Sequence, residues 1–285
     1  KELLTWLADN HFTFLGYREY VLEDNPDGSD VLVSLPSTGL GILRGDTPTR
    51  KSFAHMSPQV QAKAREPRLL VLTKANRRST VHRPAYLDYV GVKSFDAAGR
   101  VVGERRFVGL LSATTYADSA TEIPVIRQTI AKAIELSQYP PGSHHARDLL
   151  HFCETYPRDE LFQVSPEQLI GLGRQVLAIG ERRQTRVFVR NDDYGRFASI
   201  LVYLPRDRYT TDVRKAITQI LEQTYDADQI DYVARVSESV LARLHFVVRM
   251  PGGRAVPELS IEDLSEQIQH AVRTWDDEFA DALHH

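Results

Sequence analysis

Enzyme chemistry needs a nucleophile beside a base, a set of metal ligands or a phosphate cradle, and this chain holds a candidate for each. Cys153 is the single cysteine, with His144, His145 and His151 nearby in sequence. A thiol beside imidazoles offers nucleophilic or metal chemistry. His144 and His151 stand seven apart and share one face of any helix that begins early enough. Zinc motifs set their ligands closer together, and His-Glu-x-x-His does not occur. Solvated histidines at a helix start, with Cys153 as a small packing residue between Phe152 and Glu154, account for the same pattern. Gly39-Leu40-Gly41, with Gly45 beyond, resembles a nucleotide loop, but the third glycine falls one residue too late for G-x-G-x-x-G. A loop glycine cluster explains it as well. Gly171-Leu172-Gly173 lies in a helical stretch and suits close helix packing. There is no Walker A loop and no Gly-x-Ser-x-Gly elbow. Asp192-Asp193 and Asp276-Asp277 are expected as solvated acids in a turn and near a helix end. No catalytic residue and no metal ligand is assigned.

One constellation suits binding better than catalysis. Arg182, Arg183 and Arg186 form one basic cluster, and Arg206 and Arg208 another. Arg206-Asp207-Arg208-Tyr209 stands between an expected strand and an expected helix N-terminus, where open backbone amides bind anions. Arg206, Arg208 and Thr210 are the candidate ligand-binding residues, for a carboxylate. Salt bridging to Asp207 or to a partner subunit is the competing role. Arg243, His245 and Arg249 alternate with Leu244, Phe246 and Val248, so they are expected to look outward, toward solvent or a partner.

The elements that position these residues are clearest from Thr185 to Phe279. Val187–Val189 and Phe197–Leu204 are apolar runs of strand length, joined by the hairpin signal Asn191-Asp192-Asp193-Tyr194-Gly195. Val213, Ala216, Ile217, Ile220 and Leu221 fit the buried face of a helix. Ile230, Tyr232, Ala234 and Val236 alternate, as do Leu244, Phe246 and Val248. Ser260, with Asp263 three residues on, opens a last helix with the seam Ile261, Leu264, Ile268, Ala271 and Trp275. Two helices on one antiparallel four-stranded sheet make a ferredoxin-like sandwich. The usual order is βαββαβ, whereas this stretch begins with an extra strand and ends after the second helix. Either Arg186–Arg190 replaces the missing last strand beside Phe197–Leu204, or that strand was lost in a cut.

The first half is a second α+β region. It opens with a short helix at Glu2–Ala8 and a long strand at Phe12–Leu22. Val31–Leu35 is the hairpin partner of that strand across Asn25-Pro26-Asp27-Gly28. Ser57-Pro58 starts a short helix to Ala64, and Leu69–Thr73 is a third strand. Tyr86–Phe95 and Val101–Ser112 are long strands joined at Asp96-Ala97-Ala98-Gly99. A helix follows at Glu122–Leu136. Five antiparallel strands with helices on one face resemble a PAS-type fold. Tyr139-Pro140-Pro141-Gly142-Ser143 breaks the chain before a helical connector, Ala146–Glu154 and Pro166–Ile179. Ser165-Pro166-Glu167-Gln168 carries an N-cap, a first-position Pro and a capping box. The expected class is α+β: a PAS-like antiparallel domain at 1–140, a helical connector at 141–181 and a ferredoxin-like domain at 182–283.

Composition bounds the function classes. At 285 residues the length suggests about two domains. A hydrophobic share of 42% and a charged share of 26% suit a globular protein. A net charge of −3 gives no ground for a nucleic-acid or anionic-membrane partner. One cysteine forbids an internal disulfide and points to a reducing cytoplasm. No apolar run approaches the roughly 18–20 residues of a membrane span. The chain lacks an initial Met and begins inside an apparent helix, and His284-His285 suggests a tag remnant, so a piece of a longer protein is expected.

Several words along the chain carry a resemblance. They are Trp6-Leu7-Ala8-Asp9-Asn10-His11-Phe12-Thr13-Phe14-Leu15-Gly16-Tyr17, Arg106-Phe107-Val108-Gly109-Leu110-Leu111, Glu122-Ile123-Pro124, Arg147-Asp148-Leu149-Leu150, Tyr156-Pro157-Arg158-Asp159-Glu160-Leu161-Phe162 and Leu204-Pro205-Arg206-Asp207-Arg208-Tyr209. Together they resemble the long N-terminal region of the large bacterial NAD-specific glutamate dehydrogenases, over essentially the whole chain. The resemblance implies a parent enzyme that deaminates L-glutamate with NAD, its catalytic domain lying far toward the C-terminus. It implies ACT-like and PAS-like domains here, with roles in assembly and allosteric control. Other domains and subunits of a homo-oligomer are the implied partners, with a small amino-acid effector as a further one. NAD is implied for the parent and no cofactor for this segment. None of the family's catalytic residues maps onto it. ACT domains often hold an Asp-x-x-Gly-type loop before the first helix. Here Pro205–Thr211 contains no glycine, and its bulky side chains fill space a ligand would need, which favours a structural or interface role. A free-standing amino-acid sensor is the alternative.

Overall fold

The computed structural model describes residues 1–24, 30–52, 61–62, 65–179, 184–227, 229–237, 239–250 and 254–273. The expected turn at Asn25–Gly28, the expected helix from Ser57 to Ala64 apart from Gln61 and Ala62, which are helical, and Arg182, Arg183, Trp275, Asp276 and Asp277 lie outside the described residues, as do the last histidines. The chain divides into two compact units, Lys1–Ile170 and Gly171–His285.

The first unit opens with helix α1 (Glu2–Trp6), continued by a wide turn, Leu7–His11, in which Asn10 takes φ 62°. A sheet follows: β1 (Phe12–Asp24), β2 (Asp30–Ser34), β3 (Leu40–Gly41), β4 (Arg50–Ser52), β5 (Leu70–Arg78), β6 (Tyr86–Phe95) and β7 (Val101–Leu111). Its strands run in the order β4-β2-β1-β7-β6-β5, with β3 also on β1, and every pairing is antiparallel. The five expected strands are all present. β3 and β4 add two more, of two and three residues, too short to leave an alternation in the sequence. β5 runs five residues past the expected end, through Lys74-Ala75-Asn76-Arg77-Arg78. It lies at the end of the strand order, where charged residues are tolerated.

Short helices α2 (Ala113–Ala117) and α3 (Ile126–Ser137) follow, then α4 (His144–Thr155), α5 (Arg158–Leu161) and α6 (Pro166–Ile179). α3 begins four residues later than expected, because Pro124 biases Ile123 away from helical geometry. The capping box before α6 forms in both directions. Ser165 Oγ accepts from the Gln168 amide at 3.2 Å, and the Ser165 amide donates to Gln168 Oε1 at 3.0 Å.

The second unit holds β8 (Arg186–Asn191), β9 (Phe197–Pro205), α7 (Thr211–Tyr225), β10 (Gln229–Arg235), β11 (Leu241–Arg249) and α8 (Ile261–Val272). The strand order is β10-β11-β9-β8, all antiparallel. β8 therefore lies beside β9, in the position that the last strand of a βαββαβ order would take, where the permuted alternative puts it. Ile200, Val202 and Leu204 of β9 and Leu244, Phe246 and Val248 of β11 form one core with Ile217 and Leu221 of α7 and Leu264 and Ile268 of α8. Burying each such side chain contributes about 1.5–3 kcal/mol before ordering costs.

The opposite face corrects one expectation. Arg243, His245 and Arg249 do alternate with the core residues, but His245 and Arg249 are buried, at 6% and 5% exposure. His245 Nε2 bonds Ser199 Oγ at 2.9 Å, and the Arg249 guanidinium lies 5.1 Å from the Phe197 ring centre. Alternation assigns a residue to a face; it says nothing about what covers that face.

Gly109 of β7 sits where a Cβ would come within 2.1 Å of the Thr13 carbonyl oxygen and 2.5 Å of the Phe12 ring. Gly109→Ala should destabilise the first unit by about 1–3 kcal/mol through overpacking. Chemical denaturation followed by tryptophan fluorescence measures this, since Trp6 lies in the first unit, on α1. An unchanged midpoint would refute the close approach.

Candidate functional site

The Arg206–Thr210 loop links β9 to α7 through a single helical turn, Arg206–Arg208. Thr210 is the N-cap of α7, its Oγ1 accepting from the Val213 amide at 3.1 Å. This satisfies one of the amides a helix start leaves open. Arg206 is exposed, and its amide donates to the Val240 carbonyl at 2.9 Å. Its Nη1 donates to the Ser237 carbonyl at 3.2 Å. Arg208 is half-buried, and Tyr209 packs against the core. The fold thus brings Arg206, Arg208 and Thr210 onto one loop, where the Thr210 hydroxyl and the Arg206 guanidinium already hold the chain's own groups.

The other sequence candidates separate. His144, His145 and His151 all lie on α4 and are exposed, whereas Cys153 on the same helix is fully buried. Burial pushes the Cys153 thiol up to about 12, with the Glu154 charge adding to it, so at neutral pH it is a protonated packing group. Among the described residues no group of three or more His, Cys, Asp or Glu side chains is arranged to hold a metal ion. Leu40-Gly41 forms a sheet bridge to β1, and Arg18 donates to the Leu43, Gly45 and Thr47 carbonyls, so the glycine cluster shapes a loop. Asp192 is not the solvated acid expected. It is 4% exposed, and its Oδ2 accepts from the Tyr194 and Arg196 amides and from Arg196 Nε at 2.9 Å. The hairpin turn closes around this carboxylate.

A polar cluster that sequence inspection passed over lies in the first unit. Lys74 of β5 donates to Asp88 Oδ1 of β6 at 2.5 Å and stands 3.3 Å from Asp159 Oδ1 of α5. Asp88 Oδ2 accepts from the Leu111 amide at 2.7 Å, and the Tyr116 hydroxyl donates to Asp159 at 3.1 Å. Burial lowers the affinity of Lys74 for its proton, but the charges of Asp159 and Asp88 outweigh that and hold it well above the ordinary lysine range. Burial pushes Asp88 up despite Lys74, and Asp159 adds to the rise. One cation thus serves two carboxylates, Asp88 and Asp159, that lie 71 positions apart in sequence. The available signal was weak: a Lys ending one apolar strand and an Asp within another. α5 itself coincides with the word Tyr156–Phe162, whose Glu160 and Leu161 are buried.

Comparison with known proteins bears on the whole chain. The family model described as glutamate dehydrogenase, ACT2 domain, matches residues 186–276, and that described as glutamate dehydrogenase, helical motif 1, matches 123–182. The NAD-specific glutamate dehydrogenase of Halomonas elongata is 36% identical over 283 residues, covering 99% of this chain and 17% of the relative. That of Pseudomonas aeruginosa is 38% identical over 281 residues, covering 98% and 17%. That of Mycobacterium tuberculosis is 36% identical over 287 residues, covering 97% and 17%. The chain therefore spans 17% of the length of the curated relatives it matches. The ACT2 match falls on the ferredoxin-like part, and Asp159 falls within the helical-motif match.

The triad generates one expected outcome. Lys74→Met leaves two carboxylates without their cation and should cost about 3–5 kcal/mol near neutral pH. A carboxyl whose folded pKa exceeds its unfolded value binds more protons when folded, so stability rises as pH falls through that window. Losing Lys74, which opposes the rise at Asp88, raises that carboxyl further, so the deficit should narrow as pH falls from neutrality toward the unfolded Asp value of about 3.9. A deficit that stays constant over that range in urea titrations would sink the account. With relatives aligned over 97–99% of its length and two family models on it, this chain belongs to the NAD-specific glutamate dehydrogenase family, as one segment of much longer proteins.

Proposed function

We propose that this segment is a non-catalytic regulatory and assembly part of a large NAD-specific glutamate dehydrogenase, drawn from its N-terminal region. The parent reaction is oxidation of L-glutamate by NAD to 2-oxoglutarate, ammonium and NADH, with NAD bound by another part of the parent. The observation that carries the proposal is the match of nearly the whole chain to 17% of long relatives, with an ACT2 family model on its second sheet. The organisation is a PAS-like domain at 1–140, a helical connector at 141–181 and an ACT-like domain at 182–283. A sheet whose first long strand pairs with both the second and the last supports the PAS-like part.

Other domains and subunits of a homo-oligomer are the partners. Within this reading, assembly outweighs sensing at the Arg206–Thr210 loop. The groups a carboxylate would use, Thr210 Oγ1 and the Arg206 guanidinium, already serve a helix cap and a neighbouring carbonyl. A cytoplasmic setting suits the single, buried, free thiol of Cys153. Among the described residues no helix is long and apolar enough to cross a membrane.

Two measurements test the proposal. The purified chain, given L-glutamate and NAD, should form no NADH; sustained turnover in a contaminant-free preparation would overturn the non-catalytic reading. Deleting the segment from the parent enzyme should change its subunit count, as read by light scattering, or its response to amino acids. A deletion variant unchanged in both would remove the regulatory and assembly role.

A further inference from the structure

His11 stands at a junction of the first unit. Its Nδ1 lies 2.7 Å from the Trp6 carbonyl oxygen, and its Nε2 lies 2.9 Å from Asp118 Oδ2. Its own carbonyl accepts from the Ser112 amide at 2.9 Å and from the Thr115 hydroxyl at 2.8 Å. The wide turn makes this arrangement. Asn10, with φ 62°, takes the left-handed conformation that Asn tolerates better than most residues. The chain so turned stacks the His11 ring on Trp6, with ring centres 4.1 Å apart and planes 19° from parallel. The imidazole thus joins the end of α1 to Asp118, which follows α2 and lies 107 positions away.

Both ring nitrogens face acceptors. A carbonyl oxygen and a carboxylate oxygen accept and cannot donate. A neutral imidazole has one N–H, so it serves one of the two and turns a lone pair on the other, whichever tautomer it takes. Only the imidazolium donates at both positions. The Trp6 ring favours the same form, since a cation is drawn to an indole face. Little water reaches the ring to replace a lost bond: the His11 side chain is 13% exposed, and that of Asp118 is 31%.

The neighbouring charged groups are occupied elsewhere. Arg158 of α5 donates from Nη2 to the Asp118 carbonyl at 3.0 Å, and Glu154 of α4, 3.4 Å from the same guanidinium, answers its charge. The Tyr116 hydroxyl of α2 goes to Asp159. Asp9 is exposed on the wide turn, and Glu2 of α1 pairs with Arg127 of α3 at 2.6 Å. Asp118 is the acid whose oxygen reaches the ring. We propose that His11 and Asp118 form a proton-operated latch that fastens the wide turn after α1 to the turn after α2, closed when His11 carries both ring protons and loosened when it loses one. Imidazole exchanges its proton between about pH 5 and pH 8. The folded chain favours the charged form, so the stability this pair contributes is complete on the acid side of that range and is lost as pH rises through and past it. The latch belongs to the first unit alone, and it stands whether or not the segment regulates an enzyme.

Asp118→Asn separates a proton switch from an ordinary packing contact. A carboxamide can donate to Nε2 while Nδ1–H serves the Trp6 carbonyl, so a neutral His11 keeps both bonds. Ten histidines share the chain, so the first readout is site-resolved: ring nitrogen chemical shifts, with the His11 signals assigned by their loss in His11→Gln. At about pH 7 both His11 nitrogens should be protonated in the unsubstituted chain, and Nδ1 alone in Asp118→Asn. The second readout is the folding equilibrium in urea. Between about pH 6 and pH 9 the unsubstituted chain should lose about tenfold relative to Asp118→Asn, the effect of one hydrogen bond to a charged group. Taking the difference cancels the other histidines. A single ring proton on His11 at about pH 7 in the unsubstituted chain overturns the proposal, and that result needs no folded variant. Equal pH dependence in the two proteins overturns it as well. Each outcome concerns this junction alone, so failure here leaves the assembly reading standing.

Discussion

Close contact between β1 and β7 governs the first unit. The two strands pair from Phe12↔Leu111 to Val21↔Gly103, joining stretches about ninety residues apart in sequence. A Cβ at Gly103 would meet the Tyr20 carbonyl oxygen at 2.4 Å, and one at Gly109 the Thr13 oxygen at 2.1 Å. Only glycine admits that approach without moving the partner backbone. The strands hung on either side depend on it: β2 and β3 pair with β1, and β6 pairs with β7. Arg106 of β7 ties the same region across three strands. Its guanidinium lies 3.9 Å from the Tyr20 ring centre and 4.9 Å from that of Tyr89, and its Nε donates to Glu104 at 3.1 Å. A largely desolvated cation between aromatic rings is worth about 2 kcal/mol.

Charge inside this unit is handled by pairing. Lys74, Asp88 and Asp159 bring a β-strand pair and α5 to one point, and the Leu111 amide and Tyr116 hydroxyl take up further oxygens. Glu154 of α4 does the same for the turn at 119–121, accepting from the Ser119 hydroxyl and the Ala120 amide at 2.8 Å. Burial pushes the Glu154 carboxyl up, but these donors outweigh it and hold it below the usual glutamate range. Asp159 lies 85 positions from Lys74, and Glu154 34 from Ala120, so each carboxylate closes a long loop whose entropy cost grows only slowly with length.

In the second unit a strand that comes early in that unit, β8, fills the sheet edge beside β9. A strand's place in a sheet is set by the side chains it buries and the ladder it completes, not by its rank in the chain. Val187 enters the shared core from β8 while its backbone pairs with Val202. The two-sided burial of β9 then explains why its run from Phe197 to Pro205 is apolar almost throughout: every residue in it is buried.

Several elements were legible in the sequence because their causes are local. Strand alternation, the capping box at Ser165 and Gln168, the N-cap at Ser260 and the hairpin around Gly195 depend on neighbours within a few positions. Family resemblance was equally legible, since words such as Arg106–Leu111 record positions like Gly109 where one residue type fits. The Lys74 triad and the burial of His245, Arg249 and Asp192 were not legible. Each is decided by atoms that arrive from distant parts of the chain, and a charged or hydroxyl residue looks the same in sequence whether it meets water, a counter-charge or a cavity. The amino-acid order by itself determined the elements and their apolar faces; only the tertiary structure decided which polar groups those faces enclose, because burial is a property of what packs on a residue and not of the residue.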